Sequence, residues 1–221
     1  MGNLFHLFER DCSIQRKYQK IIEETPSNIS LELKEKLIKA ALKIAKALKY
    51  NNVGTFEFLV TPNEQFYFLE VNTRLQVEHP ITEMTTELDL VELQIKISEN
   101  LPLNFIQEEI KQIGHAIECR IYAEDPENNF YPNIGEILYI KIPENIKARF
   151  EFSLDTNNTI EIFYDAMILK VITFGDNRAE WLKNMSKTLK DIVILGLKTN
   201  KDFIIKILEN ELFINYEYNT N

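Results

Sequence analysis

Two short segments that carry acidic and amide side chains show the two-residue alternation of β-strands. The first covers residues 55–60 and the second covers residues 66–72. Pro62 and Asn63, which favour turns, lie between them and predict a hairpin. We expect the turn to be centred between Asn63 and Glu64, which sets the pairing of the two strands.

This pairing places Glu57 directly opposite Glu70, and Thr55 opposite Asn72. Opposed like charges destabilise a sheet. The apolar residues around both carboxylates predict partial burial, which requires pairing, protonation or a bound metal. A hard cation such as Mg²⁺ would remove the repulsion, and Asn72 would add a third oxygen ligand. The alternative is a solvent-exposed hairpin face with two unrelated acids, and spacing alone leaves both interpretations open.

A polar cluster follows the second strand and ends at Pro80. It contains Arg74, Gln76, Glu78 and His79. A guanidinium, an amide and a carboxylate crowded together suit a small planar anion such as bicarbonate.

Several long motifs in a fixed order resemble those of biotin carboxylase, the ATP-grasp component of biotin-dependent carboxylases. In chain order they are ERDCSIQRKYQK at 9–20, LEVNTRLQVEHPITE at 69–83, HAIECRIYAEDP at 115–126, FYDAMILKVITFG at 163–175 and LGLKTN at 195–200. Together they extend over nearly the whole chain. Such a series is far more specific than one short pattern.

The resemblance implies a set of site residues and three small molecules: ATP with Mg²⁺ or Mn²⁺, bicarbonate, and biotin on a carrier protein. The implied metal ligands are Glu57, Glu70 and Asn72. The implied ATP contacts are Gln15, Glu57, Leu59 and Glu70. The implied contacts to bicarbonate and biotin are Lys20, Arg74, Gln76, the Val77 backbone amide and Arg120.

The implied catalytic residues are Glu78, Arg74 and Arg120. Glu78 would deprotonate bicarbonate as a general base, and Arg120 would stabilise the negative oxygen of biotin. From alternation alone, Arg120 would instead be an ordinary exposed ion pair with neighbouring acids. The chain departs from the family at Tyr18, where the family usually has His or Asn, and this puts the ribose contact there in doubt.

The resemblance also implies partners. They are a biotin carboxyl carrier protein or domain, a carboxyltransferase and a second copy of the chain, since Arg149 falls where the family makes subunit contacts. The expected setting is an acyl-CoA carboxylase of fatty acid metabolism. The residues leave the final acceptor open between acetyl-CoA, another acyl-CoA, pyruvate and urea.

The chain lacks a glycine-rich phosphate loop, because its six glycines, at positions 2, 54, 114, 135, 175 and 196, do not cluster. The family has such a lid upstream. We therefore expect a C-terminal fragment of a biotin carboxylase that is inactive alone. The alternatives are another ATP-grasp ligase and a catalytically inactive dimerisation or docking module.

The elements that must position these residues come as runs of strands followed by helices, which indicates an α+β fold and not a doubly wound sheet. Periodicity predicts helices over 31–50, 89–100, 178–194 and from Thr199 onward. It predicts further strands over 115–124, 136–142, 148–154 and 159–174. The resemblance implies the C-terminal part of an ATP-grasp domain over 1–111. The family's C-terminal domain, an antiparallel sheet with helices, would follow over 112–221.

Composition argues against a nucleic-acid-binding protein and against a membrane-spanning one. The 221 residues are 45% hydrophobic, enough for one large or two small domains. The net charge of −9 without a basic stripe argues against a nucleic-acid partner. No apolar run approaches the ~18 residues of a membrane span. Cys12 and Cys119 are far apart and fit a reduced, cytoplasmic protein.

Overall fold

A computed structural model describes residues 3–144, 147–152 and 154–220. The chain divides into two compact units, which are described separately below. The first consists of Met1–Asp11 and Thr25–Ile113, and the second of Cys12–Glu24 and Gly114–Asn221. Runs of strands are followed by helices along the chain and the paired strands of the main sheet include antiparallel pairs, which confirms the predicted α+β class.

The described residues form strands and helices in the following order. The strands are β1 (Asp11–Arg16), β2 (Gln19–Thr25), β3 (Thr55–Val60), β4 (Phe66–Asn72), β5 (His115–Tyr122), β6 (Glu124–Asp125), β7 (Tyr131–Pro132), β8 (Gly135–Glu136), β9 (Tyr139–Lys141), β10 (Ala148–Phe152), β11 (Thr159–Ile160), β12 (Met167–Gly175) and β13 (Val193–Leu195). The helices are α1 (Leu31–Ala47), α2 (His79–Thr86), α3 (Leu90–Ser98), α4 (Arg178–Asp191), α5 (Lys201–Leu208) and α6 (Glu211–Ile214). Among the residues described, no helix is long and apolar enough to cross a membrane.

In the first unit, side-chain caps set where the helices begin. Ser30 accepts a hydrogen bond from the Leu33 backbone N–H at 3.2 Å and starts α1. Asp89 accepts one from Glu92 at 2.8 Å and starts α3. Helix α1 ends at Ala47, three residues before the predicted end, because the chain leaves the helix at Lys49 with a φ of +50°.

The hairpin β3–β4 has the predicted pairing at the end that lies farther from the turn, but not at the end next to the turn. Glu57 lies opposite Glu70 and Thr55 lies opposite Asn72. Between Glu57 and Phe58 the register shifts, so that Phe58 pairs with Phe68. One extra residue in β4 therefore separates the acidic end of the hairpin from the turn.

The second unit is built on one sheet with the strand order β1-β2-β5-β12-β10. β12 is antiparallel to both β5 and β10. Helix α4 packs on this sheet and contributes Trp181, Met185 and Leu189 to a buried core with residues of β5 and β12. Ala179, in the first turn of α4, is exposed.

Several predicted boundaries in the second unit are wrong because tertiary pairing ends elements that the local pattern would continue. The helix predicted over 178–194 stops at Asp191, and the residues that follow form β13, which pairs with β9. The single strand predicted over 159–174 is two strands, β11 and β12, in different sheets. The hairpin β1–β2 was not predicted.

Candidate active site

The amide of Asn72 bridges the two opposed carboxylates of the hairpin. Its Nδ2 atom donates to Glu57 Oε1 at 3.1 Å and to Glu70 Oε1 at 2.9 Å. One neutral donor thus lies between two like charges and reduces their repulsion. Glu57 is half-buried, as predicted, whereas Glu70 is exposed, because its position on the hairpin leaves it open to solvent within the first unit.

These three side chains fit a hard divalent cation. The two carboxylates converge on one position, now taken by the Asn72 amide nitrogen, and exchange of the amide N and O would bring an oxygen there. Within the described residues, no group of three or more His, Cys, Asp or Glu side chains could hold a metal ion. A cation at the hairpin would therefore need the amide oxygen and ligands from substrate or water, as Mg²⁺ commonly does.

Arg10 belongs to this hydrogen-bonded cluster, although it was not among the site residues predicted from the sequence. It donates from Nη2 to Gln76 Oε1 at 2.8 Å and to Thr55 Oγ1 at 3.1 Å, and from Nη1 to Thr82 Oγ1 at 2.9 Å. Gln76 in turn donates from Nε2 to Glu57 Oε1 at 2.7 Å. Gln76 is 6% exposed, so these bonds fix its orientation in a largely dry setting. The available signal was that Arg10 lies inside the motif at 9–20.

The segment after β4 turns directly into α2. Glu78 is the residue before the helix and is 2% exposed, and Pro80 lies in the first turn. His79 Nδ1 lies 2.8 Å from the Gln76 carbonyl oxygen, which ties the ring back to the preceding turn. The positive end of a helix dipole favours a carboxylate at the position of Glu78.

The other predicted residues of the first unit are more open. Arg74 is exposed and donates to the Leu75 carbonyl at 3.2 Å, and Leu59 is 47% exposed on β3. Val77 is half-buried between Gln76 and Glu78. The structure thus brings Glu57, Glu70, Asn72 and Gln76 into one hydrogen-bonded cluster. Gln15, Lys20 and Arg120 belong to the second unit.

The hairpin β1–β2 holds Gln15 on one strand and Lys20 on the other. Gln15 is exposed and donates to the Cys12 carbonyl at 2.7 Å, and Lys20 is half-buried. Tyr18, where the chain departs from the family, is 99% exposed in the turn and has a φ of +65°.

Arg16 anchors this hairpin to the rest of the second unit. It forms an ion pair with Glu124, and its guanidinium lies 4.8 Å from the centroid of the Phe130 ring. Burial raises the pKa of the Glu124 carboxyl, and the positive charge of Arg16 acts in the opposite direction.

Arg120 is buried, with 8% exposure, so the interpretation of it as an exposed ion pair is wrong. It pairs with Glu23 of β2, which is fully buried. On its other side Arg120 lies opposite Lys170 of β12, and Lys170 Nζ lies 2.6 Å from Glu151 Oε2. Each of the two neighbouring cations therefore has its own carboxylate, which offsets the cost of placing like charges side by side.

Two family models match the chain in succession. The ATP-binding domain of the carbamoyl-phosphate synthase L chain matches residues 1–106, and the biotin carboxylase C-terminal domain matches residues 118–221.

Curated relatives match over nearly the whole chain. Biotin carboxylase 1 of Bacillus subtilis is 46% identical over 99% of this chain and 49% of its own length. The biotin carboxylase of Halalkalibacterium halodurans is 45% identical over 96% of this chain and 47% of its own length. The chain thus spans about half the length of the curated relatives it matches.

Solved structures agree with these relatives. A biotin carboxylase complex with βγ-ATP from Campylobacter jejuni has a TM-score of 0.95 at 43% identity and covers 100% of this chain and 49% of that one. The biotin carboxylase domain dimer of 2-oxoglutarate carboxylase from Hydrogenobacter thermophilus, bound to MgADP, ADP and bicarbonate, has a TM-score of 0.96 at 39% identity. It covers 99% of this chain and 49% of that chain.

Proposed function

Because this chain belongs to the biotin carboxylase family, we propose that it supplies half of an ATP-dependent ligase that carboxylates biotin on a carrier protein with bicarbonate. The observation that carries the proposal is the cluster in which Asn72 joins Glu57 to Glu70 while Gln76 joins Glu57 to Arg10. This cluster links a cation site to an anion site through one shared carboxylate. Phosphoryl transfer from ATP to bicarbonate needs both sites side by side.

Glu57, Glu70 and Asn72 would hold Mg²⁺, or Mn²⁺ in its place. The bound ion would neutralise phosphate oxygens of ATP. Gln15 and Leu59 would contact the nucleotide. Glu57 also accepts a hydrogen bond from Gln76, so the cation site and the proposed bicarbonate site share this carboxylate.

Lys20, Arg74, Gln76 and the Val77 N–H would bind bicarbonate. Arg10 contributes by fixing which way the Gln76 amide points, since it occupies the amide oxygen and leaves the N–H side to face acceptors. A fixed donor needs no reorganisation when charge develops on the substrate. We therefore include Arg10 as a positioning residue of the bicarbonate site.

Glu78 would take the proton from bicarbonate, whose freed oxygen attacks the γ-phosphorus of ATP while ADP leaves, giving carboxyphosphate. Bicarbonate is a poor nucleophile until it is deprotonated, so a general base is needed. Arg120 would act later, when carboxyphosphate breaks down to CO₂ and phosphate, the phosphate takes the proton from the ureido nitrogen of biotin, and that nitrogen attacks CO₂ to form carboxybiotin. Its guanidinium would stabilise the negative charge on the ureido oxygen of biotin.

The two roles are tested by measuring ATP cleavage with and without biotin in the intact enzyme. Glu78→Gln should abolish bicarbonate-dependent ATP cleavage and biotin carboxylation together. Arg120→Ala should lower the biotin-dependent rate about a hundredfold, as loss of one oxyanion donor does, and retain most of the slower biotin-independent cleavage. Equal loss of both activities in Arg120→Ala would contradict this division of roles.

We propose the partners that such a ligase requires: a biotin carboxyl carrier, a carboxyltransferase and a second copy of the chain. A second function, dimerisation or docking without catalysis, is favoured by Arg149 on β10, which is the edge strand of the five-stranded sheet. An edge strand offers unpaired backbone groups to another chain. Sedimentation tests the dimerisation: the wild type should be dimeric and Arg149→Glu monomeric, and a monomeric wild type would exclude dimerisation.

A further inference from the structure

Asn200 is a fully buried residue whose side chain bonds to the backbone of the strand that carries Arg120. Its Nδ2 donates to the Arg120 carbonyl at 3.1 Å, and its Oδ1 accepts from the Tyr122 N–H at 2.9 Å. Its own backbone N–H donates to the Tyr122 carbonyl at 3.2 Å. Asn200 thus occupies three main-chain groups on the residues at and just beyond Arg120.

The Asn200 side chain makes these bonds instead of capping the helix that begins at Asn200. Asn200 is the N-cap residue of α5, and an asparagine there normally accepts a hydrogen bond from the first turn of its own helix. Here the side chain makes no such bond. The Asn200 carbonyl still accepts from the Ile204 N–H at 3.0 Å, so the helix begins normally while the amide is directed to β5.

The two ends of Arg120 are therefore held by different elements. Asn200 holds its backbone from α5, and Glu23 holds its guanidinium from β2. A guanidinium that must meet a developing charge needs both constraints, because a shift of about 1 Å in a catalytic group can cost about a hundredfold in rate. Without the Asn200 donor, the buried Arg120 carbonyl would also lack this hydrogen bond, which favours a shift of the strand that brings the carbonyl to another donor.

We propose that Asn200 is a positioning residue for Arg120 and acts selectively on the biotin half-reaction. The inference rests on the proposed role of Arg120. It adds a residue that touches no substrate and that determines, through the backbone of β5, where the guanidinium lies.

The test is Asn200→Asp in the intact enzyme, compared with Asn177→Ala. Aspartate keeps the acceptor for the Tyr122 N–H but places an oxygen against the Arg120 carbonyl. Asn177 caps α4 in the same unit by accepting a hydrogen bond from the Glu180 N–H at 3.1 Å. Asn177→Ala removes this cap and should destabilise the unit, but it leaves the bonds from Asn200 to β5 intact. The ratio of biotin-dependent to biotin-independent ATP cleavage should fall at least tenfold in Asn200→Asp and stay unchanged in Asn177→Ala.

A double-variant cycle shows whether Asn200 acts through Arg120. In an Arg120→Ala background, Asn200→Asp should cause no further loss of the biotin-dependent rate, because residues that act as one unit are not additive. If Asn200→Asp fails to fold, Asn200→Ser provides a second test. The serine hydroxyl can replace one of the two hydrogen bonds that the Asn200 side chain makes, so this variant should show the same selective loss to a smaller degree.

Three results would overturn the inference: an unchanged ratio in a folded Asn200 variant, an equal fall in Asn177→Ala, or additive losses in the cycle. A wild-type enzyme without bicarbonate-dependent ATP cleavage is a different result. It would overturn the proposed function, and this inference with it.

Discussion

Arg178 joins three segments of the second unit, and its removal should cost more than that of an ordinary ion pair. Its Nε lies 3.0 Å from Glu24 Oε2, and it donates to the carbonyls of Phe213 at 2.8 Å and Ile214 at 2.6 Å. The guanidinium also lies 3.8 Å from the centroid of the Tyr216 ring. The side chains of Arg178 and Glu24 are 10% and 3% exposed.

Arg178→Met removes the cation but keeps an unbranched side chain of similar length. The Glu24 carboxylate then stays buried without its charge partner, which costs about 3–5 kcal/mol. Loss of the contact with Tyr216 adds to this. With a urea m-value of about 1–3 kcal/mol per M, the unfolding midpoint should fall by at least about 1 M.

Trp181 makes the measurement specific to the second unit. It is the chain's one tryptophan and is fully buried in the core beneath α4. Its fluorescence during urea unfolding therefore reports this unit.

Glu24→Gln and the double variant provide the control. Glutamine leaves no charge to compensate, so the double variant should lose less stability than the sum of the two single losses. A midpoint shift below about 0.3 M in Arg178→Met, or additive losses in the cycle, would refute the argument.

The isolated chain should show no bicarbonate-dependent ATPase activity and weak binding of Mg-ATP by calorimetry; micromolar affinity with turnover would contradict this. Glu70→Gln in the intact enzyme should lower turnover and shift saturation by Mg²⁺ to higher concentration, and an unchanged Mg²⁺ curve would exclude Glu70 as a ligand. Burial, together with nearby carboxylates, raises the pKa of the Cys119 thiol well above 9.0. At pH 8 a disulfide reagent should therefore react with one thiol per folded chain, that of half-buried Cys12. It should react with two thiols per chain after unfolding. Desolvation raises the pKa of the Glu151 carboxyl, but the hydrogen bond and charge of Lys170 help to bring it below its usual 4.5. The stability that Glu151 contributes should therefore be complete above pH 4.5 and lost as the pH falls through the lower folded value, and Lys170→Met should raise this pKa in an NMR titration.

The sequence alone determined features that depend on neighbouring residues. Alternation and the Pro62–Asn63 turn signal correctly predicted a hairpin in which Glu57 opposes Glu70. The pairs nearest the turn are one residue away from the predicted register, and the extra residue in β4, which the sequence did not reveal, restores that register at the acidic end. The starts of α1 and α3 are local in the same sense, since the cap side chains of Ser30 and Asp89 each accept a hydrogen bond from the backbone N–H three residues further along. The motif series also indicated the family, which the comparisons confirm.

Only the tertiary structure decided how the buried charges are paired. Arg10 and Gln76 are 66 positions apart, and Asn200 and Arg120 are 80 apart. No periodic pattern connects residues at such separations, and alternation alone made Arg120 an exposed residue. The cost of burying a charge or a backbone carbonyl without a partner selects these pairs, and that cost exists only once the chain has folded and excluded water from them.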